Sequence, residues 1–267
     1  MKRSFRLLFR FFLLLLVLFI SFIVFVLNPQ VLYARERHYR QTTIYSANTS
    51  PPAFNKVLDK ATELIRPSEL YDSSFHFDVF MNDGASFTPV LKKVLGDAFA
   101  WGYHNNVVLN GENNAALEFI HLNGHQRHLA RTIAHEMIHC LQANHFGLFH
   151  SRPLKNVPYW KWEGYPEYIC YRSTGLKEDS ILISNLAIMD SLKNATYAPV
   201  DINIEEGKSF AGLDYFRWWL MVKYCMDING MTFAEILKDD VKYDTVYKEM
   251  MDWYYKNHKR ASPPAGP

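Results

Sequence analysis

The chain has 267 residues, with 29 basic and 27 acidic side chains, 49% hydrophobic and 15% aromatic content. That composition excludes intrinsic disorder, collagen-like repeats and low-complexity fibres, which lack the apolar side chains a core needs. The first forty residues hold seven basic groups and one acid, leaving residues 41–267 with a formal charge of −4. A body of that sign presents no concentrated basic surface, so no nucleic-acid role is expected.

From Phe11 to Leu27 every residue is apolar except Ser21, and Leu7, Leu8 and Phe9 extend the run across Arg10. About 20 helical residues cross a hydrocarbon core, and an arginine at its margin reaches back to the interface. The run exceeds the apolar region of a cleavable signal peptide, and Asn28–Ala34 contains no small-x-small site. Residues 1–28 are therefore expected to be an uncleaved single-pass membrane anchor. Four basic residues precede the run and three follow it closely. The positive-inside rule then puts the N-terminus in the cytoplasm and the body on the extracytoplasmic, periplasmic or luminal, side. Three widely spaced cysteines imply no disulfide framework.

Residues 29–52 read as a polar linker, 53–258 as one domain and the Pro- and Gly-bearing 259–267 as a disordered tail. Residues 53–65 carry apolar side chains at helical spacing and stop before Pro67. Residues 75–81 alternate like a strand, 89–95 read as a helix, and 106–110 as a short strand bounded by Gly111. Helical patterns then cover 126–144, 160–172, 180–193, 208–228 and 244–257. A small sheet followed by a mostly helical part predicts an α+β domain.

Seven of the eleven histidines lie between His121 and His150. Among them, His135-Glu136-Met137-Ile138-His139 matches HExxH. On a helix, residues i and i+4 share a face, so both imidazoles can converge on one ion. Glu136, beside the first ligand, is then placed as a general base. Two residues can complete the ligand set. His145 stands where the extended HExxHxxGxxH pattern has its third histidine, but Gln142 replaces the glycine that turns that chain back. The alternative is Glu163, in Trp160-Lys161-Trp162-Glu163-Gly164-Tyr165-Pro166-Glu167-Tyr168.

HExxH followed by W-E-G-x-x-E-Y (Trp162–Tyr168) resembles the gluzincin branch of zincin metallopeptidases, a peptidase MA-like group. The resemblance implies a zincin-like fold, with Zn²⁺ held by His135, His139 and Glu163. It also implies that Asn106–Asn110 is the substrate-binding edge strand, and that Tyr215-Phe-Arg-Trp-Trp-Leu220 is the later tyrosine-bearing helix. Glu167, one turn from Glu163, can accept an N–H from a ligand histidine. Tyr215 is the candidate for stabilising an oxyanion. His128 either borders the cleft or is an exposed polar residue, and Trp160, Trp162, Trp218 and Trp219 are expected in the core.

The expected function is a membrane-anchored zinc peptidase acting on a peptide or protein substrate. The alternative is a zincin-fold binding or scaffold protein at the membrane, with structural zinc or none.

Overall fold

The computed structural model describes residues 2–48, 52–84, 87–116, 118–152, 154–172, 178–196, 198–204 and 207–258. The 259–267 tail lies outside the described residues. In chain order the elements are α1 (Lys2–Leu27), β1 (Arg35–Tyr39), β2 (Thr42–Ser46), α2 (Phe54–Ile65), β3 (Phe77–Phe80), α3 (Phe87–Leu95), β4 (Ala100–Tyr103) and β5 (Asn106–Leu109). Next come β6 (Glu112–Asn114), β7 (Phe119–Leu122), β8 (His125–His128), α4 (Leu129–Phe146), α5 (Tyr159–Trp162) and α6 (Gly164–Cys170). The remainder is α7 (Glu178–Ser191), β9 (Pro199–Ile204), β10 (Gly207–Gly212), α8 (Leu213–Lys223), α9 (Phe233–Ile236) and α10 (Tyr243–His258). The fold is α+β, with one N-terminal apolar helix whose Phe5–Leu27 stretch is long and apolar enough to cross a membrane.

The main sheet has strand order β1-β2-β3-β5-β4, with β2, β3 and β5 parallel and both outer strands antiparallel to their neighbours. Two expectations are corrected by this topology. The 29–52 segment is not a linker throughout, because residues 35–46 form β1 and β2, and Thr42, Thr43 and Ile44 are buried. The sequence of β1, Arg-Glu-Arg-His-Tyr, looks like a linker because an edge strand can leave its side chains in water. Second, β5 is an interior strand between β3 and β4, so the edge is β4, and β5 is accordingly buried throughout.

The helical reading of the C-terminal part also misses strands. Residues 125–128 and 207–212 belong to β8 and β10, the latter paired antiparallel with β9. Short polar strands give no strong period-2 signal. Among the four tryptophans expected in the core, Trp160, Trp162 and Trp219 are buried and Trp218 is half-buried.

Residues Leu129–Gln142 of α4 are buried on every side. Strands β4 and β5 cover one flank, α2 and α6 the others. Gly102 makes the β4 contact possible: a Cβ there would lie 2.8 Å from the Cα of Glu136. Glycine thus lets the strand backbone meet the helix backbone directly. Opposite faces of the sheet serve different cores. Val79, Val107 and Leu109 join the main core around α4, whereas Phe80, Trp101 and Val108 form a second cluster with Tyr33, Phe87 and Leu91.

Candidate metal centre

Because α4 is enclosed, each polar side chain on it needs a partner or carries a desolvation cost. His135 and His139 stand one turn apart, with ring centroids separated by 4.8 Å. Glu163 reaches them from the junction of α5 and α6, where its backbone stays helical at φ −85°, ψ −32°. The next residue explains how that junction comes so close to α8. A Cβ on Gly164 would lie 2.6 Å from the Trp218 carbonyl oxygen and 2.8 Å from Val222 Cγ2. Only glycine fits there, so the Glu-Gly pair joins a ligand to the residue that lets its helix seat.

Three atoms converge. His135 Nε2 and His139 Nε2 are 3.1 Å apart, and Glu163 Oε2 lies 3.4 Å from the first and 3.2 Å from the second. A tetrahedral ion with bonds of about 2.0–2.1 Å holds its donor atoms about 3.3 Å apart. The triangle therefore matches one face of such a shell, and the group can hold a metal ion.

Each histidine is oriented through its other nitrogen. His135 Nδ1 lies 3.2 Å from Glu167 Oε1, an ion-pair contact without the alignment of a full hydrogen bond. Glu167 is fully buried and in turn accepts from Arg127 Nη2 at 2.9 and 3.2 Å. His139 Nδ1 lies 2.8 Å from Gln142 Oε1, while Gln142 Nε2 donates to the Trp162 carbonyl at 3.1 Å. That carbonyl is free because Pro166, four residues on, has no N–H to give it. Since a carbonyl only accepts, the Gln142 amide group faces Trp162 and its oxygen faces His139. His139 Nδ1 must then donate, which leaves the Nε2 lone pair directed at the triangle.

The local field is strongly coupled. Burial pushes the His135 imidazole down, but the Glu167 carboxylate, with Glu163 and Glu136, raises it to about 10. Burial opposes and Glu163 raises His139 in the same way. Burial acts to raise Glu163 and Glu167, but the His139 and His135 rings hold Glu163 well down, and Arg127 with His135 takes Glu167 to about 2. A site that favours protonated imidazoles favours any cation at that point, so a metal ion competes there with protons.

Glu136 is buried, and burial pushes its carboxyl up against the opposing His135 and His139. The Tyr215 ring lies 6.2 Å from that of His135, and the Glu163 charge, then burial, keeps its phenol protonated far above the usual range. Comparison with known proteins finds no matching family model, no matching curated protein and no matching solved structure.

Two further histidines are not part of the triangle. Helix α4 continues through Gln142 to Phe146, so His145 is carried to the exposed side, its ring 4.7 Å from that of Phe146. Without the glycine turn, nothing brings it back. His128 precedes the first turn of α4 and rests its ring 4.9 Å from Phe119.

Sequence reasoning missed Arg127, assigned to a helix although it lies on β8, and it treated Gln142 only as an absent glycine. A signal for Gln142 existed: a polar residue three positions after His139 sits on the same helical face. For Arg127 there was none, because the β7–β8 hairpin delivers it from outside the motif.

Proposed function

We propose that the chain is a membrane-anchored zinc peptidase of the gluzincin type, built on a zincin-like α+β domain, that hydrolyses peptide bonds with Glu136 as general base. The observation that carries this reading is the 3.1–3.4 Å triangle of His135, His139 and Glu163 with Glu136 on the same turn of helix. Two imidazoles and one carboxylate form a donor set suited to zinc. Zinc, when bound, supplies Lewis acidity that acidifies water and polarises a carbonyl.

The chain's own residues do the rest. Glu136, its carboxyl raised by burial, takes the proton from the attacking water and returns it to the leaving amine. Tyr215, kept neutral by the adjacent Glu163 charge, donates to the developing oxyanion. The free edge of β4, with Gly102 against the Glu136 backbone, offers backbone groups to an extended substrate. The anchor holds the domain on the extracytoplasmic face, with the N-terminus in the cytoplasm.

Glu136→Gln tests the reading, since Glu136 is not a ligand. One metal per chain should be retained while hydrolysis of an unfolded protein falls by about 10²–10⁴-fold. Unchanged hydrolysis would overturn it. If the wild type cleaves nothing and unfolds on chelation, the alternative of a docking module with structural zinc takes its place.

A further inference from the structure

The apolar helix is not a loose tether. Along α1 the residues before Phe25 are exposed as far as they are described, but Phe25, Val26 and Leu27 are half-buried against the domain. Phe25 meets Phe87 of α3 edge-on at 5.8 Å, and Phe25 and Val26 pack on the second aromatic cluster. Tyr103 Oη, at the end of the edge strand, donates to the Val26 carbonyl at 3.0 Å. Asn106 Nδ2 donates to the Leu27 carbonyl at 3.1 Å. These two carbonyls belong to the last turn of α1, which has no intrahelical N–H left for them.

Asn106 also faces the other way. Its backbone carbonyl accepts from Cys140 Sγ at 3.4 Å, and Cys140 follows the ligand His139. One buried residue thus touches both the end of the apolar helix and the metal-binding helix. Strand β4 has the same arrangement, with Trp101 and Tyr103 towards α1 and Gly102 against Glu136. A single sheet layer, about 10 Å deep, separates the two helices. Leu27 ends the apolar stretch, and the contacts from Leu27 through Asn106 to Cys140 put the triangle one sheet layer from that end.

Resting on the peptidase reading, we infer that the site serves polypeptide segments presented at the bilayer surface next to a membrane span, because the anchor is a rigid part of the sheet that carries the edge strand. A leader removed after Leu27 would strip Tyr103 and Asn106 of their acceptors and uncover the second cluster, so α1 is retained. A substrate brought in by its own span arrives at the height of β4 without a linker on either side.

The experiment uses the full chain in lipid vesicles, compared with a version whose residues 2–27 are replaced by a leucine-alanine span and a Gly-Ser tether of about forty residues. Such a tether has a root-mean-square length of about 35 Å. The three native cysteines are buried, so a dye on Asn144→Cys, at an exposed position on the last turn of α4, reports height by energy transfer to a surface lipid. The native chain should give one short, narrow height, and the tethered one a height longer and broader by up to the tether's own length. Equal heights would overturn the proposal.

In parallel, one mixed-sequence peptide is supplied free, or after a membrane span with a spacer of about five or about forty residues. The native chain should favour the short spacer by roughly 20-fold in kcat/KM, and the tethered chain should lose that preference. Equal cleavage of both spacers by the native chain would overturn the substrate class. Absence of cleavage for every copy and for an unfolded soluble protein, with the height still short, would instead sink the peptidase reading and leave the docking standing.

Discussion

The two halves of the candidate metal centre are oriented by different physics. On the His135 side the partner is a charge, Glu167, itself held by the buried guanidinium of Arg127. On the His139 side it is a neutral amide, Gln142, anchored to a backbone carbonyl that Pro166 leaves free. A charged partner raises the basicity of its ring and responds to acid, whereas an amide fixes the tautomer and ignores pH. The site therefore has one electrostatic support and one geometric support, and Glu163 is common to both.

Removing the shared member should have the largest effect. Glu163→Ala leaves two histidines, too few for a stable shell, and zinc content of the purified full chain should fall from about one per chain to near zero. His145→Ala should leave zinc content unchanged, since His145 faces away. A chain that keeps zinc without Glu163 would show that the triangle is not the site.

Breaking the ionic half comes next. Glu167→Gln leaves Arg127 buried without its charge partner, and loss of one member of a buried pair costs about 3–5 kcal/mol. Chemical denaturation of the metal-free protein should show that loss, and zinc affinity should drop about 10–100-fold. The neutral half should be cheaper to break. Gln142→Leu leaves the Trp162 carbonyl unpaired, about 1–3 kcal/mol, while His139 is free to change tautomer and turn its N–H away. If Gln142→Leu proves the more damaging of the two, the ranking of charge over tautomer is wrong.

Acid sharpens the same contrast. Glu167 is held at about 2 in the folded chain against an ordinary value of 4.5. Its contribution is therefore fully present above about pH 4.5 and is lost as pH falls through that window towards 2. Stability measured across the window should fall less steeply in Glu167→Gln than in the wild type, and just as steeply in Gln142→Leu. The smallest effect is expected from Pro166→Ala, which restores an N–H that competes with Gln142 for the Trp162 carbonyl. It should lower zinc affinity only a few-fold, measured by chelator competition, with little change in stability.

Most of the triangle was legible in the sequence because helical spacing alone puts His135 and His139 on one face, and Glu163 was marked by the glycine beside it. The roles of Gly102 and Gly164 could not be read, since each depends on a backbone from a distant element. Arg127 was hidden for the same reason. The β1–β2 hairpin reads as a linker because its charged outer strand obeys no apolar period. The interior position of β5 could not have been found by pattern, as β4, its antiparallel neighbour, is only four residues long. Local periodicity locates helices and their faces. Strand order is set by contacts that no window of sequence contains.

The hydrogen bonds that fasten α1 to the sheet span 77 and 79 residues of chain. At about 5–20 residues per second, Tyr103 and Asn106 are synthesised some 4–16 s after the carbonyls they bind. The end of α1 thus waits with its final turn unmatched until β4 and β5 have been made. The first helix of the chain is then fastened by strands made well after it.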